Sequence, residues 1–208
     1  MDLNKKLSEI NIDDFILFSK TYTKHLIDLL KKLDHKNISK TIEILEKSRK
    51  EGRRIFLIGN GGSASTASHI ANDFGLVISK SDKFKFHDPY RVNSLVDNNS
   101  LLTAIGNDFG YDDIFLEQLK INFKKNDLII AISASGNSPN LIKCVKWAKK
   151  NGGNILSWVG FDGGELKKLS DLCIHVKTIK GEYAPVEDIH LIINHIIVTW
   201  MQHNAKRL

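Results

Sequence analysis

The amino-acid sequence predicts an α/β fold: a three-layer αβα sandwich on a five-stranded parallel sheet, preceded by an N-terminal helical arm. Three observations carry this. Apolar runs of strand length recur at 53–59, 127–132 and 154–159, with weaker ones at 91–96 and 171–177. These runs lack the polar alternation of a half-exposed strand, as expected of parallel strands buried on both faces. Helical patterns fill the intervals, at 64–78, 98–106 with 111–121, 139–151 and 186–203. Strand alternating with helix reads as a parallel sheet covered on both sides.

Two helices come before any strand. Residues 13–32 place Phe15, Phe18, Tyr22, Leu26 and Leu29 at helical spacing, and 38–51 repeats the pattern with Ile38, Ile42 and Leu45 after a capping Ser39. The expected division is a helical arm over 1–36 and one main domain over 37–208. The arm is expected to pack on the core or on another subunit. The chain has three prolines, and Pro139 and Pro185 sit just ahead of helical patterns, where a missing N–H does no harm.

Composition narrows the function classes. At 42% hydrophobic and 26% charged, the chain of 208 residues can bury a core, which argues against disorder. No run approaches the roughly 18 apolar residues of a membrane span. The first fifteen residues mix charges of both signs and lack a secretory apolar core. Cys144 and Cys173 are the only cysteines, which excludes a disulfide scaffold or Cys-rich zinc module and fits a reducing cytosol. The net charge of +6 comes from scattered lysines, many in pairs such as Lys124–Lys125 and Lys149–Lys150. Such pairs complement helix C-termini, and no dense basic run points to nucleic acid. An anionic small substrate is served equally well.

Two strand-to-helix turns carry the chemistry. The first holds Asn60, Gly61, Gly62 and Ser63, and the second Ser133, Ala134, Ser135 and Ser138. Both follow the expected carboxyl ends of strands, where open α/β sheets bind ligands. Glycines admit close approach, hydroxyls donate hydrogen bonds and the next helix N-terminus favours an anion. Neither turn is GxGxxG or GxxxxGK[ST], which sets aside the usual dinucleotide and triphosphate sites. Two such turns at equivalent places point to a phosphorylated small ligand. His69 and Asp73, at i and i+4, share a helix face. That spacing orients an imidazole on a carboxylate, brings both to one metal, or is a plain surface pair. Glu187, Asp188, His190 and His195 accompany a markedly apolar C-terminal helix, in which Asn194-His195 is the anomaly.

Over residues 40–203, GNGGSAS, His69, Asp73, AIGNDFGYDDIF, ISASGNS, GFDGG and PVEDIHLIINH together resemble the SIS (sugar isomerase) family. Within it, their order is similar to the phosphoheptose isomerases. The resemblance implies conversion of sedoheptulose 7-phosphate to D-glycero-D-manno-heptose 7-phosphate through an enediol. It implies that Asn60, Gly61, Gly62 and Ser63 form the first substrate loop. Ser133, Ala134, Ser135 and Ser138 form the phosphate loop, with Ala134 replacing a Thr of some relatives. Asn107 and Asp108 match a further substrate contact, and Glu187 faces the substrate too. His69, Asp73, Glu187 and His195 are the implied ligands of one Zn²⁺ per site, and Asp73, His195 and Glu187 the implied catalytic groups. In two departures, Asp73 stands where better-known enzymes carry a Glu base, and Glu187 stands for a Gln.

Glu187 and His195 are eight residues apart, so a continuous helix would separate them by roughly 12 Å. Either Glu187 precedes the regular helix, or the ligands come from different subunits. The family is commonly tetrameric with shared sites, which implies a cytoplasmic homotetramer with no nucleic-acid or membrane partner. Competing readings are a non-catalytic SIS protein that binds a partner such as a replication initiator, an isomerase of a related phosphosugar, and a sugar-phosphate-sensing regulator. Retention of the ionisable residues favours catalysis.

Overall fold

The structure is a computed structural model that describes residues 6–77 and 89–204. Residues 1–5 of the expected arm, residue 78 of the expected 64–78 helix and residues 205–208 lie outside the described residues. Helices α1 (Phe15–Leu30) and α2 (His35–Lys50) lead into β1 (Arg54–Gly59) and α3 (Gly62–Asn72). Then follow β2 (Arg91–Ser94), α4 (Asn99–Asp108), α5 (Leu116–Asn122), β3 (Leu128–Ser133) and α6 (Pro139–Lys150). The chain ends in β4 (Asn154–Val159), α7 (Gly164–Leu169), β5 (Leu172–His175) and α8 (Tyr183–Asn204).

The five strands are all parallel in the order β2-β1-β3-β4-β5. Successive side chains of each strand go to opposite faces, and the core divides accordingly. Ile55 and Leu57 of β1, Ile130 and Ile132 of β3 and Trp158 of β4 pack beneath α2, α3 and α8. Phe56, Ile58, Ile129, Ala131 and Ile155 face α5, α6 and α7. Three layers result, as the absence of polar alternation implies.

The helix ends follow local chemistry. Asp14 caps α1, its carboxylate accepting from the N–H groups of Ile16 and Leu17 at 2.8 and 3.3 Å. Asp34 caps α2 through Lys36 and Asn37, at 3.0 and 3.1 Å. Ser39, the expected cap, therefore lies inside the helix, and the expected boundary at 36/37 falls one residue beyond its first position. Helix α8 begins at Tyr183, three residues before the expected start, because Pro185 occupies its first turn, where no intrahelical N–H is needed. Helix α1 lies on α8, and the Tyr22 hydroxyl donates to Asp188.

Candidate active site

Strand order places the site. β1 has β2 on one side and β3 on the other, so the crossovers diverge between β1 and β3 and open a crevice at their carboxyl ends. Gly59 pairs with Ile132 at that end, bringing the two Gly/Ser turns side by side. A cleft of about 260 Å³ lies there, lined by Asn60, Gly61, Gly62 and Ser63 of the first turn and by Ser133, Ala134, Ser135 and Ser138 of the second. Glu187 and Tyr183 of α8 complete the wall.

The first turn needs its glycines. Gly61 caps α3 at φ 53°, a region that side chains rarely adopt. A Cβ on Gly62 would lie 2.1 Å from Glu187 Oε2. Asn60 is fixed by an amide exchange with Asn140, with Nδ2–H···Oδ1 distances of 3.0 and 2.9 Å, and its Oδ1 also accepts from the Tyr111 hydroxyl at 3.2 Å.

In the second turn Ser133 Oγ lies 3.4 Å from Ser135 Oγ and 3.5 Å from Ser138 Oγ. Two further hydroxyls thus lie within 3.5 Å of Ser133 Oγ beside the N-terminus of α6, whose N-cap is Ser138. The turn is clamped from behind by the GFDGG segment. Gly160 N–H donates to the Ala134 carbonyl, and Leu166 N–H to that of Gly136, both at 2.9 Å. Gly136, at φ 63°, passes so near that a Cβ would sit 2.1 Å from the Gly163 carbonyl oxygen.

The second group of residues lies farther along α3 and α8. His69 Nε2 is 3.3 Å from Asp73 Oδ2 and 3.0 Å from His195 Nε2. Asp73 is buried, His69 half-buried and His195 exposed. Asp73 opens a π-helical turn, Asp73–Val77, that continues α3. Asn194 Nδ2, fully buried on α8, donates to Asp73 Oδ2 at 2.5 Å. Ligand atoms of His69, Asp73 and His195 lie within 4.8 Å of one another, a set found once among the described residues. Two imidazole nitrogens and a carboxylate oxygen make a donor set that suits Zn²⁺.

Not every expected residue joins. Glu187 is the fifth residue of a continuous α8 and lines the cleft, outside the His69/Asp73/His195 group. The alternative in which it precedes the helix is thereby removed, and within one chain it does not join the His69/Asp73/His195 group. Partial burial, with the charge of Asp188 beside it, pushes its carboxyl above the usual range. Asn107 and Asp108 end α4, exposed and bonded to each other at 2.8 Å, and neither lines the cleft. Tyr111, three residues on, is the member of that segment that reaches the first turn. Asn140, Tyr111, Tyr183 and Asn194 are additional candidates, since they line the cleft or hydrogen-bond to the residues above. Of these, Tyr111 lies within the AIGNDFGYDDIF segment and Asn194 shows in the sequence as a polar residue inside an apolar run.

The SIS domain profile matches residues 21–160. The phosphoheptose isomerase of Aneurinibacillus thermoaerophilus is 36% identical over 201 residues, covering 96% of this chain and 91% of that protein. That of Burkholderia pseudomallei (strain 1710b) is 35% identical over 155 residues, 74% of this chain and 75% of that one. Among solved structures, a phosphoheptose isomerase from Neisseria gonorrhoeae superposes with a TM-score of 0.77 at 24% identity, covering 90% of this chain and 96% of that chain. One from Francisella tularensis gives 0.76 at 19% identity, with 93% and 99% covered. Those two likenesses show the fold, and the sequence matches show more: the chain belongs to the SIS domain family and, within it, to the phosphoheptose isomerases.

Proposed function

We propose that the protein converts sedoheptulose 7-phosphate into D-glycero-D-manno-heptose 7-phosphate by ketose–aldose isomerisation through an enediol. The observation that carries this reading is the pairing of a cleft lined by two Gly/Ser turns with a histidine–carboxylate cluster along the same two helices. Gly62 opens α3 at the cleft, and His69 lies seven residues on, about 10 Å along the axis. A phosphate held by Ser133, Ser135 and Ser138 would leave the sugar carbons to extend toward the cluster. Anchoring the remote phosphate lowers the entropic cost of bringing carbon 1 to the base.

Asp73 is the proposed base. Its Oδ2 is occupied by Asn194 and His69, whereas Oδ1 has a single long contact, 3.5 Å from Asn72 Nδ2. Oδ1 would take the proton from carbon 1 and return it to carbon 2, while the hydroxyl proton moves from O1 to O2 through His195. A Zn²⁺ held by His69, Asp73 and His195 would polarise the substrate carbonyl. Metal binding and proton relay are competing uses of the same His195 nitrogen, and the zinc dependence of the rate separates them. Glu187 is assigned to substrate contact in this chain's own cleft, and the Asn107–Asp108 pair to a site completed by a neighbouring subunit.

Incubation of the purified protein with sedoheptulose 7-phosphate, followed by ¹³C NMR, tests the reading. The aldose phosphate accumulates if it is right, and unphosphorylated sedoheptulose is left unchanged. Turnover of other ketose phosphates with none of the seven-carbon substrate would contradict it. Ser135→Ala is expected to raise KM roughly ten- to hundredfold with little change in melting temperature, since a hydrogen bond to a charged group contributes about 1.5–3 kcal/mol. Unchanged phosphosugar binding by calorimetry would remove the loop from the phosphate site.

The assembly proposed is a homotetramer with shared sites. Phe15, Ile16, Leu17 and Ile27 of α1 are 78, 64, 53 and 46% exposed, and Ile196 and Trp200 of α8 are 42 and 43% exposed. Apolar side chains concentrated on two neighbouring helices suit burial against further copies. Sedimentation at micromolar concentration is expected to give a tetramer, and a stable monomer would contradict the shared site. No helix among the described residues is long and apolar enough to cross a membrane. With both cysteines free, the proposed location is the cytoplasm.

A further inference from the structure

Asn194 is fully buried on a side of α8 that also buries His190, Ile193, Ile197 and Val198. Its Oδ1 has no hydrogen-bond partner. A half-satisfied amide in a core costs stability that a leucine of similar size would not. What the amide does and leucine cannot do is donate to Asp73 Oδ2, at 2.5 Å, across the gap between α8 and the end of α3.

That contact anchors a chain of others. The same carboxylate oxygen lies 3.3 Å from His69 Nε2, which lies 3.0 Å from His195 Nε2. Consecutive residues on a helix point about 100° apart. Asn194 therefore looks inward to Asp73 while His195 looks outward to His69, and α8 grips the cluster at both ends. Asp73 needs such an anchor, because it opens the π-helical turn Asp73–Val77 and has only the 3.5 Å Asn72 contact on its other oxygen.

We propose that Asn194 is a positioning residue: its amide fixes the Asp73 carboxylate and so sets the geometry of the His69–Asp73–His195 group for metal binding and proton transfer. The kinetic part of this rests on the isomerase reading, and the metal part does not.

The test compares Asn194→Leu and Asn194→Gln with the unsubstituted protein. Zinc affinity of metal-stripped protein is read by competition with a chromophoric chelator, alongside melting temperature and the kcat and KM for sedoheptulose 7-phosphate. Asn194→Leu, close in size, is expected to keep its melting temperature within a few degrees. Zinc affinity falls about ten- to hundredfold, the range for losing a group that orients a ligand, and kcat falls with it while KM holds. Asn194→Gln keeps an amide donor and recovers part of the lost zinc affinity. Zinc affinity and kcat unchanged in Asn194→Leu overturn the proposal. So does a large drop in melting temperature with zinc affinity intact, which is a purely structural role, or an unsubstituted protein that binds no zinc. If that protein binds zinc but does not turn over sedoheptulose 7-phosphate, the isomerase reading fails, and the zinc measurements still decide on Asn194.

Discussion

Asp73→Asn and His195→Ala are each expected to lower kcat at least about a hundredfold, the contribution of a positioned acid or base, with the fold intact. The Asn side chain is nearly isosteric and can still accept from the Asn194 amide, so the contact between α3 and α8 survives while the base is lost. His195 is exposed at the edge of the cluster, and truncating it opens no core cavity. Glu187→Gln should be tolerated far better, because Glu187 lines the cleft and lies outside the histidine–aspartate group. Steady-state kinetics on the three variants decides the matter. An inactive Glu187→Gln beside a near-normal Asp73→Asn would transfer the role of base to Glu187.

The second large effect concerns stability. His190 is completely buried on α8, 6.0 Å ring to ring from Trp158, and neither ring nitrogen has a hydrogen-bond partner within geometric limits. Burial pushes its pKa down from 6.5 to about 4, and the nearby Val159 backbone offsets this only in part. Below pH 6.5 the unfolded chain takes up a proton at this site that the folded chain refuses until about pH 4. Stability is therefore lost as pH falls through that window, about 3 kcal/mol in all and about 2 kcal/mol of it between pH 7.5 and 5. Urea unfolding of His190→Phe and of the unsubstituted protein, at equal protein concentration, should show the difference. The substituted protein loses less stability between the two pH values, by about that amount. Parallel losses in both proteins would show that His190 does not carry the acid sensitivity.

Much of this architecture is legible in the sequence because its signals are local. The run 154–159 reappears unchanged as β4, since a strand buried from Ile155 to Val159 and bounded by Gly153 and Gly160 has sharp ends. The turns at Asn60 and Ser133 are likewise visible, because backbone curvature there demands Gly and small polar residues. The six-residue α7 leaves no signal in the sequence, since GELKKL is too short for helical periodicity to register. Apolar spacing carried the expected helix to residue 78, whereas α3 stops at Asn72 and continues as a π turn, which the same spacing cannot distinguish.

The site was legible by residue type more than by position. Spacing alone put His69 beside Asp73. That His195 reaches the same point, and that Glu187 does not, depends on how α8 lies across α3. Asn107 and Asp108 show the converse: they share a segment with Tyr111, but only Tyr111 reaches the first turn. The Asn60–Asn140 exchange spans 80 residues and leaves no sequence pattern at all.

Isomerisation in D₂O is the most direct measurement of the central claim. The protein is incubated with sedoheptulose 7-phosphate, and the product is examined by ¹H NMR. The proton held on Asp73 exchanges with solvent during the lifetime of the enediol, so deuterium is expected at carbon 2 of the heptose 7-phosphate, in a fraction set by that exchange and at a rate that collapses in Asp73→Asn. Absence of the aldose product, or the same deuterium incorporation in Asp73→Asn as in the unsubstituted protein, would contradict the account.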